Sequence, residues 1–357
     1  MKQGSSLFAI LRRIEGLPVA AVLLVLYGAF TITAPGVFTG HLIYMSFLQT
    51  VSPMLVCALG LTFVITAGEI DLSFPAVVAF AGFVFAWFIE NVQAPWSPWL
   101  GFVLALAAGG FVGYINGLLV AKIGVPSIMA TLATRFFWYG VTVLLAGGRS
   151  WSISDIRGTF LHQLFVGRLF GVVPVQALWA LVLAIFLWFI LNRHVFGEAV
   201  MFIGDNADVA RVMGVNVEAT KIRLFTMNGV LAAFGALLLT MDIGVFFPTQ
   251  GESYLLSALS AVFIGGTSIA GGLGSIVGTF FGAYIIGSLE AGVVASRISG
   301  YWVQLVQGLV MGASVTLNLI LEQGQINRLT NRIRQWTTLD RSNTPPVVSR
   351  QDDAGLK

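Results

Sequence analysis

Charged side chains make up only 10% of this 357-residue chain, and most stand at its ends or between long apolar runs. Water-soluble domains carry about 25% charged residues, so a chain this poor in charge cannot cover a water-facing surface. With 57% apolar residues and a mean hydropathy of +0.89, the expected class is an all-α polytopic membrane protein. Length alone suggests two soluble domains, but the charge content overrules that estimate. The 41 glycines agree, because Gly is commoner in transmembrane helices than in soluble ones.

A helix needs about 20 mainly apolar residues to cross the hydrocarbon core. Such runs stand at 17–34, 42–67, 74–89, 99–121, 126–146, 172–191, 222–245, 253–266, 274–293 and 300–320, two of them short. About ten transmembrane helices are predicted. The first run is longer than the 7–15 residues of a cleaved signal, so it reads as an uncleaved anchor. With the N-terminus inside, only Arg149, Arg157, Arg168 and Arg297 fall outside and Arg135 lies within a span. That leaves 14 of the 19 Lys and Arg inside, which is the cytosolic bias. Both termini are therefore expected in the cytosol. The predicted organisation is a cytosolic N-terminal segment at 1–16, a transmembrane domain at 17–320 and a basic, partly disordered cytosolic tail at 321–357. The outside segment 147–171 is expected to hold a short helix on the membrane, and the inside loop 192–221 carries most of the charge between spans.

Several chemistries are excluded. Cys57 is the only cysteine, and His41, His162 and His194 are far apart, so neither a disulfide nor a metal site is expected. None of the four lysines sits in a phosphate-binding loop. The chain is not expected to hydrolyse ATP, hold a cofactor or bind nucleic acid, and no catalytic residue is assigned. Gly312-Ala-Ser-Val315 is a serine-hydrolase fragment without a histidine deep in any span.

Three segments carry the remaining information. Thr66-Ala-Gly-Glu-Ile-Asp-Leu-Ser73 makes a turn at Gly68, with Ser73 placed to cap the next helix. Glu69 and Asp71 lie near that helix's positive end, where carboxylates are favoured; the other reading is a proton or cation site. The Gly-rich stretch 265–278 lacks both dinucleotide and P-loop spacing. Gly265, Gly266, Gly271, Gly272 and Gly274, together with Gly68, are predicted to permit close packing or a hinge. In the inside loop, Asp205 or Asn206 caps a helix over 207–213 and Gly214 ends it. Val209, Val212 and Met213 form a narrow apolar stripe opposite Asp208 and Arg211. That helix either lies on the bilayer or docks into a groove of a soluble partner. Deep in the spans the main polar residues are Asn116, Thr131 and Asn228, candidates for lining a translocation pathway. Replacing either Asn with Ala is expected to weaken uptake modestly. Arg135 and Asp242 read as paired or snorkelling charges.

The same segments resemble the membrane-spanning permease subunits of bacterial ATP-binding-cassette importers for simple sugars. Gly60-Leu-Thr-Phe-Val-Ile-Thr-Ala-Gly-Glu-Ile-Asp-Leu-Ser73 is similar to that family's Gly-Ile-Asp-Leu-Ser turn. Gly124-Val-Pro-Ser-Ile-Met-Ala-Thr-Leu-Ala-Thr134 with Gly147-Gly-Arg149, and the stretch 258–279, resemble its second and third landmarks. The likeness spans about residues 20–320. It implies ten spans per subunit, a permease dimer of two copies or of paralogues, ATPase subunits on the cytosolic side and a periplasmic sugar-binding protein. It also implies a bacterial inner-membrane location and a coupling helix between spans six and seven, placing Gly204, Asp205, Asn206, Asp208, Val209, Arg211, Val212, Met213 and Gly214 at the ATPase contact. Asp208 and Val209 stand where the family commonly has alanine. Gly68-Glu69 and Tyr139-Gly140 also depart from the usual Gly-Gly and Arg-Gly.

The competing reading is an ion-coupled secondary transporter or a channel for a small polar solute, which needs acidic or paired polar groups deep in its spans. An intramembrane enzyme would need a catalytic dyad, and none is visible. The identity of the sugar is not encoded in any of these motifs.

Overall fold

Away from water, a backbone satisfies its polar groups only within helices or closed barrels, and the apolar runs of this chain become helices. The computed structural model describes residues 15–316 except positions 298, 300 and 304. The N-terminal segment expected at 1–16, save its last two residues, and the tail expected at 321–357 lie outside the described residues. In chain order the described helices of seven residues or more are α1 (Leu17–Thr33), α2 (His41–Thr66), α3 (Phe74–Asn91), α4 (Ser97–Leu118), α5 (Ser127–Ala146), α6 (Phe160–Val166), α7 (Val175–Arg193), α8 (Val195–Val212), α9 (Val217–Ile243), α10 (Tyr254–Ile264), α11 (Ile276–Ala295) and α12 (Leu305–Thr316). A π turn at Leu119–Ile123 extends α4. Among the described residues, seven helices are long and apolar enough to cross a membrane: α2, α3, α4 with its π turn, α5, α7, α9 and α11. The runs around α1, α10 and α12 form apolar helices of at most 17 residues.

Helix α2 is the most enclosed, with every residue from 51 to 66 buried. Helix α9 lies antiparallel beside it and is tied at both ends. Gln49 Nε2 donates to Asp242 Oδ1 at 2.6 Å at one end, and Lys221 pairs with Glu69 at the other. Asp242 thus has an amide partner within the bundle. On α4, Gly109, Gly113 and Gly117 recur every four residues and form the face that meets α9. A Cβ at Gly109 would collide with the Gly229 carbonyl, and one at Gly113 with that of Phe225. Spacing of small residues by four brings membrane helices into backbone contact. The opposite faces expose Leu104, Phe111, Phe136, Phe137, Ile185 and Phe189, a surface suited to lipid tails rather than water.

At the Gln49–Asp242 end, the segment 147–171 forms β1 (Trp151–Ser152), α6 and β2 (Arg168–Leu169). Strand β2 turns back on β3 (Val173–Pro174), and β1 pairs antiparallel with β4 (Val245–Phe246), Trp151 opposite Phe246. Thr159 Oγ1 caps α6 by accepting from the His162 amide at 3.3 Å. The short helix buries Leu161 and Phe165, and Phe165 stacks on Phe102 and Trp179.

Candidate functional site: a clamped turn and the helix beside it

The turn at 67–73 is shaped by one glycine and held by one carboxylate. Gly68 has φ +76°, a left-handed conformation that reverses the chain after α2. Asp71 is 2% exposed. Its Oδ1 accepts from the Ser73 amide at 2.7 Å and the Ser73 hydroxyl at 2.6 Å, and its Oδ2 accepts from Asn228 Nδ2 at 2.8 Å. Burial pushes the Asp71 pKa up, while the bonds from Ser73 and Asn228 pull it down. The Ser73 oxygen accepts from Asn116 Nδ2 at 2.7 Å, and Asn116 Oδ1 accepts from the Thr134 hydroxyl at 2.7 Å. Thr131 Oγ1 accepts from the Leu72 amide at 3.1 Å.

Asn116, Thr131 and Asn228 are therefore gathered around one turn. All three are fully buried, and their polar groups face the turn. The other amide atom of Asn228, Oδ1, has no hydrogen-bond partner among the described residues and lies against Gly60, where a Cβ would strike it. One expectation needs correcting. Ser73 occupies the N-cap position of α3 but makes no side-chain cap, because its hydroxyl turns back to the buried Asp71, whose charge needs donors in the absence of water. Glu69 has its cation, Lys221, supplied from 152 residues away. Arg135 pairs with Glu252, just before α10, a partner that the sequence reading missed. Among the described residues, no group of three His, Cys, Asp or Glu side chains could hold a metal ion.

The network alters the result expected for Asn228→Ala. Removing the amide leaves a buried carboxylate oxygen without its donor, a loss of about 1–3 kcal/mol and more for a charged group. A lower thermal midpoint in detergent is expected, with any fall in uptake following the loss of folded protein. An unchanged midpoint would contradict this role.

Beside the turn, α8 breaks at Asn206, whose backbone is extended (φ −160°, ψ 108°). Its Oδ1 accepts from the Asp208 and Val209 amides at 3.0 and 3.1 Å, so Asn206, not Asp205, caps the second segment. Gly214, with φ +88°, ends that segment. Its inner face is built of small residues, with Ala207 and Ala210 packed on Ile203 and Val217. The larger apolar side chains face out: Val209 is 54%, Val212 89% and Met213 63% exposed. Arg211 and Asp208 pair at 2.9 Å on the exposed surface.

The break brings α8 against the Gly-rich loop. A Cβ on Gly204 would strike the Thr66 carbonyl and the Gly272 amide, and one on Gly271 the Gly204 carbonyl. Gly274 is closed off in the same way by the Thr66 side chain. The Gly272 amide donates to the Thr66 carbonyl at 2.8 Å, and Gly68 stands beside Gly204. Three of the six glycines singled out in the sequence, Gly68, Gly271 and Gly272, thus meet the coupling-loop candidate Gly204, and Gly274 meets the same Thr66. Gly265 instead packs on Gly278 and Thr279 at the start of α11, and Gly266 faces open space.

A family profile described as branched-chain amino acid transport system / permease component matches residues 43–315. The chain is 34% identical to the ribose import permease protein RbsC of Bacillus subtilis (strain 168) over 73% of this chain and 80% of that protein. It is 30% identical to the autoinducer 2 import system permease protein LsrC of Escherichia coli O9:H4 (strain HS), covering 85% of each chain. The fructose import permease protein FrcC of Rhizobium meliloti is 30% identical over 84% of this chain and 85% of its own length. No solved structure matches.

Proposed function

Since the chain belongs to the permease family of ATP-binding-cassette importers that includes these sugar import permeases, we propose that it forms the membrane passage through which one such importer moves a monosaccharide or related small carbohydrate. The observation that carries the cytosolic half of this reading is the second segment of α8. It turns Val209, Val212 and Met213 outward while packing inward through alanines, as a helix seated in a partner's groove does. In this reading an ATPase subunit takes that helix, a periplasmic binding protein delivers the sugar at the opposite end, and a second permease copy or a paralogue completes the passage.

The proposed topology has ten spans within 17–320 in the bacterial cytoplasmic membrane, with α1, α10 and α12 as its short members. Both terminal segments, 1–16 and 321–357, lie in the cytosol. Asn116, Thr131 and Asn228 hold the turn beside the passage rather than line it. The ion-coupled alternative loses ground because the acidic groups Glu69, Asp71 and Glu252 are each engaged by a donor or cation.

Vesicles reconstituted with the permease, its ATPase and its binding protein are expected to accumulate labelled D-ribose or D-fructose only when ATP is supplied. Uptake by the permease alone, driven by an ion gradient, would overturn the reading. A fluorescent protein fused after Lys357 is expected to fold and fluoresce, while alkaline phosphatase at the same point stays inactive. The reverse pattern would place that end outside the cell.

A further inference from the structure

Helices α2, α10, α11 and α12, with the residues just before α12, line a partly open cavity of about 750 Å³. That volume is in the range of small-molecule sites, about 300–1,000 Å³. It lies in the half of the bundle away from α8, beside Thr50 near the Gln49–Asp242 end of α2 and along the first turns of α10.

The wall has a particular chemistry. Ser260 lines the cavity and is only 2% exposed. A helical serine commonly returns its hydroxyl to the carbonyl four residues earlier, as Ser257 does to Ser253 at 3.1 Å. The Ser260 hydroxyl makes no hydrogen bond among the described residues, nor does the Gln307 amide across the cavity on α12. A hydroxyl that faces a cavity without an internal partner is open to a hydrogen-bonding guest. Among the described lining residues the one charge is Glu252, which Arg135 neutralises. Those described residues offer a charged guest no free counter-charge. A neutral molecule rich in hydroxyls would find donors and acceptors in Ser257, Ser260 and Gln307, with Met54 and Tyr301 supplying apolar contact.

We infer that this cavity is a holding site for the transported carbohydrate within a single subunit, with Ser260 and Gln307 hydrogen-bonding its hydroxyls. The inference rests on the importer reading and adds a location to it.

Cysteine protection tests it in cells that carry the complete transporter. The natural Cys57 is fully buried, so the unmodified chain supplies the blank. Ser260→Cys and, separately, Gln307→Cys are treated from outside with a charged, membrane-impermeant methanethiosulfonate reagent. Both are expected to react. D-ribose, D-xylose, D-fructose or D-galactose at about ten times its dissociation constant is expected to slow the reaction about tenfold, and L-leucine to leave it unchanged. Absence of reaction at both positions overturns the site. So does reaction that none of the four sugars slows. Uptake assays on the same cells then separate the two levels. Sugar uptake without protection leaves the importer reading intact and removes only the site. Protection and uptake with L-leucine in place of sugars overturn both.

Discussion

Val212→Asp is expected to release the ATPase subunit and abolish uptake while leaving the permease inserted and folded. At 89% exposure, Val212 makes almost no contact within its own chain, so a carboxylate there costs the fold little. Once the helix is seated in a partner, the same carboxylate becomes an unpaired buried group, costing about 2–3 kcal/mol or more. By the rule of tenfold per 1.4 kcal/mol, that weakens the complex roughly 30- to 150-fold. Co-purification of the ATPase with the variant is the measurement. Undiminished recovery would mean that the stripe faces lipid, since a bilayer-lying helix would lose its anchorage with the complex still assembled. Ala210→Asp supplies the contrast. Ala210 is 1% exposed and packs on Val217, so that change should disturb the permease itself.

A second large effect is expected from a single methyl group. Gly204→Ala would place a Cβ against the Thr66 carbonyl and the Gly272 amide at once, two atoms already joined by a 2.8 Å hydrogen bond. Both are backbone, so neither can rotate out of the way. Overpacking of this kind costs about 1–3 kcal/mol, or roughly 5- to 150-fold in any equilibrium that needs the three segments together. The apolar stripe on α8 is untouched, so the ATPase should still co-purify while uptake falls by that factor. Gly140→Ala, at a glycine with nothing within 4 Å of the added methyl, is expected to be silent. Equal uptake by both variants would separate the glycine contact from transport.

What the sequence made legible was local. Apolar runs marked the helices, Asp205 or Asn206 at one end and Gly214 at the other marked the short helix in α8, and the three- and four-residue spacing of Val209, Val212 and Met213 gave its outward stripe. What it hid was pairing between distant segments. Asp71 finds Asn228, Glu69 finds Lys221 and Arg135 finds Glu252 across 157, 152 and 117 residues. No periodicity encodes which buried polar group meets which. Asn116, Thr131 and Asn228 stood out as polar residues in apolar runs, but their common destination emerged only from the packing of α4, α5 and α9 around one turn. Ser73 illustrates the same limit. Its position fits a helix cap, yet a neighbouring carboxylate in a dry site claims its hydroxyl. The Gly109, Gly113 and Gly117 repeat, which marks the α4–α9 contact, went unread in the sequence although its four-residue spacing was the available signal.

The distance between Asp71 and Asn228 also sets a timetable for biogenesis. Chains grow at about 5–20 residues per second, so roughly 10–30 seconds pass between synthesis of the acid and synthesis of its amide. Lys221 reaches Glu69 after nearly the same delay. Throughout that interval neither carboxylate has its distant partner, and burying a bare charge is costly. The clamps that tie this turn to α9 therefore close only after α9 has been made. Nascent chains arrested before residue 217 lack both distant partners of the acidic turn.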